Sequence, residues 1–161
     1  MDRAVTHHKA ATDLIGPYGM RILCLRADRW ADVHVAEEVM CLKTGFDCVV
    51  VNRAEPPSDM QNALIAAIAI RAGDWVEVFG DRAEVIHDLI DLASVRIGRQ
   101  SVVGDGNPMT TWHEEPRDSQ IASYIWTGGQ GESSRKVVVV VGLPKKTGAL
   151  LTALVSRQNN S

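Results

Sequence analysis

The chain has 161 residues, 45% of them hydrophobic and 23% charged, with a formal net charge of -3 and a pI near 5.9. That balance fits one globular domain burying roughly 70% of its unfolded surface, and the lack of a basic excess excludes a dedicated nucleic-acid binder. Three cysteines cannot all pair within one chain, and no apolar run approaches the ~18 residues of a membrane span, so a reduced cytoplasmic setting with no membrane partner is expected.

Residues 1–19 are polar, with His7 and His8 adjacent and a Gly16-Pro17-Tyr18-Gly19 turn at the end. They read as an extension ahead of a single α/β domain over 20–161, with room for a short helix over 9–15. Nothing in 1–12 is apolar enough for a signal peptide, and the histidine pair reads as solvated tail rather than metal site.

The first strand is predicted over 20–25, where Ile22, Leu23, Cys24 and Leu25 are continuously apolar, as in strands buried on both faces. Arg26 and Asp28 follow at its carboxyl end. A helix over about 31–43 comes next, with Asp32 or Asp28 near its start and Gly45 at its stop. The second strand, 47–51, ends in Asn52-Arg53. Pro56-Pro57 breaks the chain, and Ser58 with Gln61 forms a capping box for a helix over 59–72. That helix is apolar nearly all round (Met60, Leu64, Ile68, Ile70), as helices in a core or an oligomer interface are.

The third strand is Trp75 to Phe79, followed by a Gly80-Asp81 turn and a helix from Arg82 to about Gly98. Asp81 is placed to cap that helix with Glu84 as reciprocal partner. Ile86, Leu89, Ile90, Ala93 and Ile97 form its buried stripe, and Gly98 suits a left-handed stop. Glu77 reads as solvated or paired, on an edge strand or a partly open face; a central position would make it a buried carboxylate and a functional candidate. His34 and His87 read as surface or half-buried residues.

Residues 99–116 read as a long loop, a feature often functional in a compact domain. It contains the densest chemical cluster, Trp112-His113-Glu114-Glu115. Asp118 can cap a short helix carrying Ile121, Ala122, Ile125 and Trp126, with an extra antiparallel strand as the competing reading. The Gly-rich stretch 128–135 is the most flexible of the chain. Val137 to Val141 is the most apolar strand and therefore central. Thr147 caps a last helix with Leu150, Leu151, Leu154 and Val155 inward.

Strands alternating with helices imply right-handed crossovers and a mainly parallel sheet. The expected architecture is a three-layer α/β/α sandwich of about four strands, flavodoxin-like or Rossmann-like, ordered 2-1-3-4 or 2-1-4-3. Ligands of such sheets bind outside the carboxyl ends of the strands, where the order reverses. That rule selects Arg26, Asp28, Asn52, Arg53, Asp81 and the loop before Pro116.

Gly142-Leu143-Pro144-Lys145-Lys146-Thr147-Gly148 superficially looks like the phosphate-binding loop of P-loop NTPases. Lys145 stands where that motif needs glycine, and the spacing from Gly142 is too short, so the family is not inferred. What survives is a helix start with two lysines that can attract an anion.

Two function classes follow. The first is a binding or protein-interaction module, an accessory or immunity-type protein being one form, with a protein partner or self-association expected. The second is a small hydrolase or transferase acting on a phosphorylated or nucleotide-like ligand. There His113 would be acid or base, Glu114 or Asp81 its orienter, and Arg26, Arg53 or Lys145 the anion clamp. Asp28 and Asn52 complete the expected ligand edge. No metal spacing stands out, and no cofactor is named by the sequence.

Overall fold

The structure is a computed structural model that describes residues 11–16, 19–98, 109–114, 117–127 and 135–159. It is a mixed α/β fold of β1 (Ala11–Ile15), β2 (Arg21–Ala27), α1 (Val33–Met40), β3 (Phe46–Asn52), α2 (Ala63–Arg71) and β4 (Ala72–Gly80). These are followed by α3 (Ala83–Arg96), β5 (Met109–His113), α4 (Asp118–Thr127), β6 (Arg135–Val141) and α5 (Pro144–Asn159). The described strands form one six-stranded sheet in the order β1-β2-β6-β3-β4-β5. All neighbours are parallel except the β1–β2 pair.

The expectation of about four strands is corrected at both edges. Residues 11–15 form a strand and not a helix, pairing antiparallel with β2. Met109 to His113, expected as loop, pairs parallel with β4. Neither expected order holds. The valine strand enters between β2 and β3, so the four strands foreseen run first, fourth, second, third. Its central place was legible, because Val137 to Val141 are all buried and each such side chain contributes roughly 1.5–3 kcal/mol. Only the long return from β5 through α4 decides which two neighbours it takes.

Strand alternation sorts the interior into two clusters. Val137, Val139 and Val141, with Cys48, Val50, Val76 and Val78, pack with α1, α2 and α3. Val138 and Val140, with Ile22, Cys24, Val49 and Phe79, pack with α4 and α5. Helix α2 is apolar nearly all round because Leu64, Ile65, Ala67, Ile68 and Ala69 are buried in the first cluster. Burial within the chain accounts for it, so its composition is no argument for self-association.

Several caps differ from expectation. Asp32 caps α1, as foreseen, accepting from the amides of His34 and Val35. Asn62, not Ser58, caps α2. Helix α3 begins after Arg82, which is left-handed at φ 49 and makes no side-chain cap, and Asp81 is engaged elsewhere. Helix α5 starts at Pro144, a residue suited to a first helical position. Thr147 therefore lies inside it, its hydroxyl donating to the Leu143 carbonyl, and Val155 is exposed rather than inward. Gly98 adopts the left-handed stop, φ 64. The histidine pair His7-His8, the glycines of 104–106, Glu115 and the stretch 128–134 lie outside the described residues.

Candidate functional site

The order of travel reverses at β6. The connections leaving β2 and β3 lead to α1 and α2 in one cluster, whereas the one leaving β6 leads to α5 in the other. Neighbouring connections that part in opposite directions leave a crevice between them. There the structure has an open cleft of about 510 Å³, lined by Asp28 and Arg29 after β2, by Arg53, Ala54 and Glu55 after β3, and by Leu143 and Lys146 after β6. That volume lies within the usual range of small-molecule sites.

The floor of the cleft is tied by backbone hydrogen bonds. The Arg53 amide donates to the Val141 carbonyl at 2.7 Å, the Gly142 amide to Ala27 at 2.9 Å and the Asp81 amide to Asn52 at 2.8 Å. These bonds tie the ends of four strands together. Asn52 is the hub and is fully buried. Its Oδ1 accepts from the Trp30 indole (2.9 Å) and the Ala54 amide (3.2 Å), and its Nδ2 donates to the carbonyls of Ala54 (2.8 Å) and Asp81 (2.7 Å). Both donors and the acceptor are thus committed. Asn52, expected as a ligand contact, has its side chain spent on holding together Trp30, Ala54 and Asp81 around the cleft.

Arg53 runs in a slot between two glycines. A Cβ on Gly80 would meet the Asn52 carbonyl oxygen at 2.2 Å and an Arg53 guanidinium nitrogen at 2.9 Å; one on Gly142 would meet the Arg53 Cβ at 2.8 Å. Both glycines also have positive φ, 100° and 154°. The guanidinium bridges Asp81 and Asp118, each at 3.3 Å, and so links the ends of β3 and β4 to the start of α4. Asp81 serves this pair rather than the predicted cap.

The remaining predicted residues separate. Asp28 and Arg53 line the cleft, but Lys146 does so in place of Lys145, which is exposed on the same turn. Arg26 is half-buried in β2 and does not line it. His113 ends β5, two strands from β3, and Glu114 is exposed after it. The histidine's orienter is neither Glu114 nor Asp81. Its Nε2 lies 3.0 Å from the Glu77 carboxylate, and its ring stacks on Phe79 with centroids 4.9 Å apart.

Glu77 was expected to be solvated or paired on an edge strand or open face. It is paired but buried, because β5 lies outside β4 and makes β4 internal. The Thr111 hydroxyl also donates to it. Glu77, Asp47 and Lys136 share the sheet face covered by α4, and all three are buried. Lys136 Nζ donates to the Ile125 carbonyl at 3.0 Å and sits 5.7 Å from the Tyr124 ring centroid. Burial lowers its pKa below the ordinary value, opposed by the charges of Asp47 and Glu77. The sequence signal for this cluster was faint: Lys136 precedes the valine run, and Asp47, the second residue of β3, is in register with it.

Among the described residues no group of three or more His, Cys, Asp or Glu side chains could hold a metal ion. None of their helices is long and apolar enough to cross a membrane. A family model matches residues 20–157, and its description is a domain of unknown function (DUF7684). No curated protein matches the chain.

Proposed function

The chain belongs to that family of unknown function, and we propose that it is a small-molecule-binding α/β module taking an anionic ligand in the cleft at the carboxyl ends of β2, β3 and β6. One observation carries the reading: three separate strand ends converge on a cleft whose walls offer two cations, Arg29 and Lys146, that make no ion pair with a described residue, beside Arg53, which is held by Asp81 and Asp118, and two carboxylates, Asp28 and Glu55. One of those carboxylates, Glu55, is already paired with Arg82 at 3.0 Å. The start of α5 adds the partial positive charge of a helix N-terminus beside Lys146. A three-layer α/β/α arrangement is part of this reading, supported by α1–α3 packing in one cluster and α4–α5 in the other.

The test is a thermal-shift panel of inorganic phosphate, sugar phosphates, nucleotides and carboxylates. A ligand at a hundredfold excess over its Kd contributes about 2.7 kcal/mol, a rise of about 8 °C for a domain of this size. That rise should vanish in Lys146→Glu, whose side chain is exposed and outside the core. A flat panel, or a shift that Lys146→Glu leaves intact, refutes the reading.

A second reading rests on the His113–Glu77 pair. A buried carboxylate that accepts from Nε2 leaves Nδ1 as the basic nitrogen, on a side chain half open to solvent. In this reading the chain is a hydrolase or transferase with His113 as acid or base. Turnover of a phosphate ester that His113→Gln abolishes, with ligand-induced stabilisation retained, would favour it over binding alone.

A further inference from the structure

The cleft at the strand ends adjoins a second one. Arg29 and Glu55 line both, and the second, of about 470 Å³, runs on past Trp30, Pro56, Pro57, Ser58 and Gln61 toward the start of α2, with the Asp59 carboxylate, which accepts from the Gln61 amide, on its wall. Resting on the anionic-ligand reading above, we infer that the ligand is a phosphate ester with a cyclic, hydrogen-bonding body, a nucleoside or sugar phosphate. Its phosphate lies against Lys146 and Arg29, and its body lies along Pro56 to Gln61.

Size is the first argument. A phosphate group has five heavy atoms and displaces only a few waters of ~30 Å³ each, far less than either cleft holds. Charge is the second. Arg29 stands on the wall common to both clefts and makes no ion pair with a described residue, whereas Glu55 on the same wall is engaged by Arg82. A cation at the junction suits a ligand whose charge lies at one end and whose body continues past it.

The third argument is the chemistry of the second wall. Pro56 and Pro57 are half-buried and present saturated ring faces, while Ser58 and Gln61 are exposed. Among the described residues neither of those two side chains is used in a hydrogen bond of the fold; only the Gln61 backbone amide is, donating to Asp59 at 2.8 Å. Apolar faces edged by unengaged hydroxyl and amide groups fit a sugar or base ring. The wall is also preformed. The Trp30 indole is turned inward to Asn52, and Asn62 joins the Trp30 carbonyl (2.9 Å) to the first turn of α2.

Isothermal titration of the full chain with inorganic phosphate, ribose 5-phosphate and AMP tests this directly. We expect at least one ester to bind tenfold or more tighter than inorganic phosphate. Gln61→Ala and Ser58→Ala should each remove part of that advantage while leaving phosphate binding unchanged, and Lys146→Glu should weaken all three ligands. AMP alone gaining affinity assigns the second cleft to a base; ribose 5-phosphate gaining equally assigns it to the sugar. Esters no tighter than phosphate, with Gln61→Ala and Ser58→Ala silent, overturn the inference and leave the anion reading standing. No binding in any arm overturns both.

Discussion

Two polar regions of this sheet are built in opposite ways. At the carboxyl ends of β2, β3 and β6, charged side chains border an open cleft and the burden of order falls on the backbone. Glycines at 80 and 142 and the buried amide of Asn52 fix the strand ends. Beneath α4, Lys136, Asp47 and Glu77 are themselves buried, and their neighbour His113 is half open to solvent. Removing a charge from the first region should change what the protein binds. Removing one from the second should change whether it folds, because a buried charge left without its partner costs far more than an exposed one.

Lys136→Ala should show the largest effect. It removes a buried ammonium that acts electrostatically with Asp47 and Glu77 and leaves the Ile125 carbonyl without its donor, and should destabilise by about 3–5 kcal/mol in urea unfolding, whereas Lys146→Ala should stay within about 0.5 kcal/mol. Equal losses for the two lysines would erase the contrast. Asn52→Ala should come next, at about 2–3 kcal/mol, since the Trp30 indole and two carbonyls lose a buried partner. It should also abolish any ligand-induced stabilisation although it touches no ligand. Gly142→Ala should cost about 1–3 kcal/mol through its positive φ and the approach of Arg53.

Glu77→Gln should have a smaller effect on stability but a specific spectroscopic one. The carboxylate holds the Nε2-protonated tautomer of His113, so the imidazole nitrogen shifts should move toward a mixture in the variant. Unchanged shifts would mean the pair does not orient the ring.

The smallest effect concerns the thiols. Burial pushes Cys24 and Cys48 up to about 12, with Arg26 opposing at Cys24 and Asp47 reinforcing at Cys48. Cys41 is exposed. A thiol reagent near neutral pH should therefore label one cysteine in the native chain and three in denaturant. Because the folded values are raised, the two thiols contribute stability that is full below the ordinary value of 9.0 and is lost as pH rises toward about 12. Lys136 acts in the opposite sense: its lowered value lets stability recover as pH climbs from there toward 10.5.

Much of this was legible in local pattern. The apolar runs of β2, β3 and β6 were placed to within a few residues, and so was the α3 stripe except at Ile97, which lies past the helix end and is exposed, because buried elements repeat with the period of their own backbone. Asp28 and Arg53 could be placed at the cleft because strand ends are local features of the sequence. The choice between Lys145 and Lys146 was not local. Both are polar and adjacent, and only the angle at which α5 leaves β6 turns one of them toward Arg29. Glu77 was misread for a related reason: whether a carboxylate on a strand is wet depends on whether another strand lies outside it, and β5 was hidden in what looked like loop.

The chain by itself determined that its valine tract would be central, that its strands would run mainly parallel, and that its polar strand ends would gather at one edge. Periodicity and burial are properties of short segments and survive without knowledge of neighbours. The tertiary structure alone decided that β6 inserts between β2 and β3, that the Asn52 side chain ties Trp30 and the strand ends together, and that His113 pairs with Glu77. Those outcomes depend on which distant segments meet, and contacts between distant segments leave little mark on the order of residues in either one.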